Sequence, residues 1–124
     1  MRKVTLKDQS VLLPAIKNLL LKATKNKTIY GAEIVQWCNE NLELESKLSE
    51  PKLRYLINVL RQQEVPVLSS TSGYWISYNK TEILETIVSL NSRITSIKSA
   101  IGGLNQCIIN IDMVDEWSKK GINI

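Results

Sequence analysis

The chain has 124 residues, 44% of them hydrophobic and 23% charged, enough for one compact domain plus one long extra helix and too apolar for wholesale disorder. Sixteen Lys/Arg against twelve Asp/Glu leave a net charge of +4, a mild excess that permits a polyanionic partner without requiring one. The absence of histidine excludes His-based triads, imidazole metal ligands and histidine pH switching.

Charge is unevenly spread. Residues 1–30 carry seven bases and one acid, whereas 31–50 carry one base and five acids, which predicts a bipolar surface. Cys38 and Cys107 stand far apart without metal-type spacing, as expected for inert thiols in a reducing compartment. The start MRKVTLKDQS has no apolar segment behind its bases, and no run approaches ~18 apolar residues. A soluble, cytoplasmic protein with no membrane partner is the expectation.

Residues 11–25 put Leu12, Leu13, Ile16, Leu19, Leu20 and Ala23 on one helical face, with Asp8 or Ser10 as the cap. Pro14 fits only in the first turn of such a helix. Thr28-Ile29-Tyr30 is a β-leaning link. Gly31 opens a second helix whose buried side is Ala32, Ile34, Val35, Trp37 and Cys38, and Asn39-Glu40-Asn41 stops it. The segment 42–48, LELESKL, either extends that helix or forms a long turn.

Ser49 caps a third helix, with Glu50 and Pro51 in its first turn. Its apolar seam is Leu53, Leu56, Ile57 and Leu60, and Lys52, Arg54, Tyr55, Asn58 and Arg61 lie largely off that seam. Residues 65–68 and 74–76 read as strands joined by a tip, Ser69-Ser70-Thr71-Ser72-Gly73. Trp75 is expected as a core anchor beneath this hairpin, the alternative being a platform for a stacked base.

The last third changes character. Ile83, Ile87, Leu90, Ile94, Ile97, Ile101, Leu104, Ile108 and Ile111 alternate at intervals of four and three, a heptad repeat sustained over four heptads. As one helix this stretch would be on the order of 45 Å long. Gly102-Gly103 sit outside the seam, so the helix either runs through them weakened or kinks and folds back. Residues 112–124 read as a fraying end in which Val114 and Trp117 can still pack.

SEPKLRYLINVLRQQEVPV followed by GYWIS resembles the N-terminal winged-helix domain of the biotin-operon-repressor type, and small winged-helix proteins of bacteriophages. Ser49, Leu53, Ile57, Leu60, Arg61, Val65, Gly73 and Tyr74 carry the likeness, which covers about 31–78. There are two departures: Glu64 stands where the family usually has a glycine, and the link between the second and third helices is longer. Nothing matches the ligase region of that repressor type.

The heptad gives a coiled-coil oligomerisation helix at 80–112 before a tail at 113–124. The resemblance implies a winged helix-turn-helix at 1–79 and, together with that helix, an expected fold that is mostly α with a small β-hairpin (α+β). It also implies a phage or bacterial cytoplasm, and a sequence-specific binder of double-stranded DNA, a transcriptional regulator or replication accessory factor. Its third helix would enter a major groove with the hairpin along neighbouring phosphates. Ser49, Lys52, Arg54, Tyr55 and Asn58 are the candidate helix contacts; Ser70, Thr71 and Ser72 suit phosphate oxygens, as Ser69 does. Lys80, Arg2, Lys3 and Lys7 would add electrostatic attachment, and Glu50 opposes it. The alternative is an adaptor or assembly factor that uses the same surfaces on proteins.

For the heptad, Ile in one seam set and mixed Ile/Leu in the other leave two, three or four strands open. A homodimer is favoured because two winged helices on one axis suit a two-fold site, against a monomer whose helix folds back on its own domain. No cofactor, metal or enzymatic activity is expected, since neither paired catalytic carboxylates nor a Gly-rich phosphate loop is present.

Overall fold

The computed structural model describes residues 4–119, with side chains as far as Trp117; Arg2 and Lys3 lie outside the described residues. Four helices and one hairpin follow in order: α1 Leu6–Leu21, α2 Gly31–Asn41, α3 Glu50–Gln62, β1 Val67–Ser70, β2 Gly73–Ile76 and α4 Lys80–Lys119. By contacts the chain divides into two compact units, between Thr86 and Ile87.

Helix α1 begins earlier than its apolar pattern suggests because Thr5, not Asp8 or Ser10, is its cap. The Thr5 hydroxyl accepts from the Asp8 N–H at 3.1 Å. Pro14 therefore falls inside the helix rather than in its first turn, leaving the Ser10 carbonyl without its helical donor. Asp8 is buried, and its carboxylate accepts from the Glu45 and Ser46 N–H groups at 2.9 and 3.2 Å. Leu12, Ile16 and Leu20 are buried as expected. The helix stops at Leu21, and Thr24 and Lys27 close a tight antiparallel turn just beyond it.

In α2, Glu33 accepts from the Tyr30 N–H at 3.0 Å, and Ile34 and Cys38 are buried. Trp37 is not core: it is 40% exposed. Val35 and Trp37 flank the Ile34/Cys38 line on opposite sides, and the helix is rolled so that Val35 packs inward. Ala32 is exposed as well.

The segment 42–48 does not extend α2. The Asn39 side chain donates to the Leu48 carbonyl at 2.9 Å and accepts from its N–H at 2.8 Å, which pins the loop and buries Leu48. Asp8 satisfies two of the loop's other N–H groups, so the middle and the far end of the long connection are held by polar side chains from the helices around it.

Helix α3 keeps its Ser49 cap and buries Leu53, Leu56, Ile57 and Leu60. It ends in a Schellman motif: the Val65 N–H reaches the Leu60 carbonyl and the Glu64 N–H the Arg61 carbonyl, both at 3.0 Å. Glu64 takes φ 66° there, the left-handed conformation usually filled by glycine.

The hairpin differs from expectation in register. Its strands run to Ser70 and from Gly73, leaving a two-residue turn, Thr71-Ser72. Ile29 adds a third, one-residue strand, exchanging both backbone hydrogen bonds with Tyr74 at 3.0 and 2.8 Å. Gly73 has φ +132°, and a Cβ there would stand 2.5 Å from the Ile29 carbonyl oxygen, so the close approach of this strand requires glycine. Trp75 is the buried anchor rather than a stacking platform, and its indole donates to Glu82 at 2.8 Å.

Three helices, a hairpin and a long following helix make a mostly α arrangement consistent with winged-helix topology. Helix α4 runs unbroken through Gly102-Gly103 and on to Lys119, so residues 113–119 are helical rather than frayed. Ile83 packs beside Ala23, Leu68 and Trp75, Thr86 is buried, and Lys25 pairs with Glu85 at 3.1 Å. From Ile87 onward the seam stands largely in solvent, with Ile94 50% and Leu104 66% exposed. Among the described residues no helix is long and apolar enough to cross a membrane.

Candidate nucleic-acid interface

The outward stripe of α3 follows from its period. With Leu53, Leu56, Ile57 and Leu60 turned inward, Pro51, Arg54, Tyr55 and Asn58 fall on the opposite side and are exposed. Arg54 and Asn58 stand one turn apart, so a forked cation and an amide share one face. These are the side-chain types that read base edges and phosphates.

Lys52 and Ser49 are placed differently. Ser49 is occupied as the helix cap, accepting from the Lys52 N–H at 3.4 Å, and the Lys52 ammonium donates to the Lys47 carbonyl at 3.1 Å. Lys52 is thus turned toward the α2–α3 loop, and it and Lys47 make a basic corner beside the start of α3. Glu50 is directed toward α2: its Oε1 lies 3.4 Å from where a Cβ on Gly31 would stand. A carboxylate at the first turn of α2 is favoured by that helix's dipole.

Arg61 serves the hairpin rather than an open groove. Its Nε donates to the Val67 carbonyl at 2.8 Å and a terminal nitrogen to the Ser69 hydroxyl at 3.3 Å. At the wing tip Ser70 and Ser72 hold each other at 2.8 Å, with the Ser72 N–H donating to Ser70 at 3.1 Å. Thr71 is exposed at the apex, and Lys80 is exposed at the start of α4. Lys7 lies 4.0 Å from Glu45, both in solvent.

One group was not singled out by sequence. The Thr28 hydroxyl donates to the Ser72 carbonyl, which sets the Thr24–Lys27 turn next to the wing tip. Lys27 is exposed there, a base beside a hairpin that carries none. The clustering of seven bases in residues 1–30 signals it, but only the third strand at Ile29 brings it to the wing. Compared with protein-family models, curated proteins and solved structures, the chain matches none.

Proposed function

We propose that this protein binds double-stranded DNA through α3 and the wing, and that copies associate through the seam of α4. The observation that supports it most is the Arg54, Tyr55 and Asn58 stripe, exposed on a helix whose other face is fully committed to the core. Beside it the unit carries a short polar hairpin flanked by Lys27. In this reading α3 enters a major groove, Lys27 and Thr71 meet the adjoining backbone, and pairing of copies presents two such faces to one site, as a regulator or a replication accessory factor requires.

A second reading is favoured by one observation. Tyr30, the cap of α2, and Trp37 within it are exposed with Glu33 and Glu40 on the same helix, an aromatic and acidic face suited to a protein partner rather than to phosphates. In that reading the protein is an adaptor, with α4 setting its stoichiometry.

The two separate on salt. Affinity for duplex DNA should fall steeply between about 50 and 200 mM salt, and Arg54→Ala with Lys27→Ala should flatten the log–log slope by roughly two. Duplex binding unchanged in that double variant, at an unaltered circular dichroism spectrum, would reject the proposed face. Loss of a protein partner on Trp37→Ala with DNA binding absent would favour the adaptor.

A further inference from the structure

We propose that α4 pairs with a second copy of this chain in the antiparallel sense, with Ile94 opposite the second copy's Ile111 and the crossing centred between Gly102 and Gly103. The inference rests on the self-association proposed above and assigns its direction and register.

Two observations bear on it: the seam is apolar, regular and in solvent, and the charges beside it are unevenly distributed along the helix. Ile87, Ile94, Ile101 and Ile108 form one line of the seam, and the next position of that line, Asp115, breaks it with a carboxylate. The flanks carry bases early, at Arg93 and Lys98, and an acid late, at Asp112.

A parallel, in-register pair would set Arg93 against the other helix's Lys98 twice, because flanking positions five residues apart meet across a parallel coil. It would also face Asp115 with its own copy. Charges at such positions set partner orientation.

Reversing one helix removes these like-charge contacts. With Ile94 opposite Ile111, Ile97 faces Ile108 and Ile101 faces Leu104, so each of six layers is Ile–Ile or Ile–Leu. Lys98 then comes beside the second copy's Asn105 and Asn91 beside Asp112, while Arg93 lies beside Val114 and Asp115 faces Leu90, so no two like charges meet. Shifting the register one heptad toward the helix start sets Lys98 against Lys98. A second such shift calls on Ile83, already packed against Trp75 and Leu68. The glycines lie on the outer surface of both helices, where nothing stands within 4 Å of a Cβ, so they do not interrupt the layers.

The test uses the full chain. In Asn91→Cys with Cys107→Ser, spin labels attach at residue 91, since Cys38 is buried. Antiparallel pairing in this register separates the two labels by about 35 Å along the rod, at ~1.5 Å per residue. A parallel pair holds them about 10 Å apart, the usual interaxial spacing. A distance near 35 Å with a sedimentation mass of two chains is the expected result.

A short distance overturns the direction while leaving self-association intact, and a monomer at all concentrations overturns both. Duplex binding, measured separately, reports on the DNA-binding part alone. The register has its own check: Asn105→Lys, which places a base beside Lys98, should weaken pairing about fivefold, and adding Lys98→Glu should restore it. Unchanged pairing in Asn105→Lys, or no restoration in the double variant, rejects the register.

Discussion

Glu64 is the one non-glycine residue with positive φ among those described. A side chain in the left-handed region costs roughly 1–2 kcal/mol, yet the Schellman bonds at Leu60 and Arg61 hold the turn in the form glycine would give it. Glu64→Gly should accordingly raise unfolding stability by about 1 kcal/mol, part of the relief being offset by glycine's freer unfolded chain; urea denaturation measures it, and a loss would mean the glutamate makes a compensating contact. Cys38 is the second residue-scale case. Burial pushes its thiol up to about 11 from an ordinary 9.0, so the folded protein holds that proton more tightly than the unfolded chain. The stability this gives is whole below pH 9 and is lost as pH rises from there through 11. At neutral pH a thiol reagent should modify Cys107, which is exposed, and spare Cys38 until denaturant is added.

At the scale of elements, the helices and the hairpin were legible wherever apolar period and local chemistry agreed. Ser49, Glu50 and Pro51 announce α3, its four seam residues are all buried, and the 4/3 spacing announces α4. What escaped was decided by tertiary partners. The cap of α1 is Thr5, which no apolar residue marks, and Asp8 has its carboxylate drawn to a loop 37 residues away. Trp37 is turned outward because Val35 takes the inward side. The hairpin's register was misjudged because Ser69 and Ser70 look like turn residues, yet they pair with Tyr74 and Gly73. In α4, Gly102 and Gly103 weaken a helix that gains nothing local from them; replacing both by Ala should raise its helix stability by roughly 2 kcal/mol in all, at about 1 kcal/mol for each glycine. Thermal melting followed by circular dichroism checks this, and no gain would point to a partner approaching the outer face.

For the whole molecule, the division between Thr86 and Ile87 separates a packed unit from a helix whose apolar side is unspent. Ile94→Asp with Ile101→Asp should yield monomers by sedimentation while leaving the spectrum of the N-terminal unit folded. An unchanged mass would reject the seam as the surface of association. The seam was evident in the sequence, as was the α3 stripe, because both are periodic. The basic turn at Lys27 was not, since its place depends on a single residue, Ile29, joining the sheet.

Arg61 has a last consequence. Tyr74 spends its backbone on Ile29, so by antiparallel alternation the Val67 carbonyl points to the far margin of β1, where no fourth strand follows among the described residues. Such a margin is an open template on which foreign chains can polymerise. The guanidinium already occupies that acceptor, and Pro66, just ahead of it, has no amide hydrogen to offer. The end of that margin next to α3 is thereby closed, which leaves Ser69 as the place on β1 where a foreign strand could still find backbone groups.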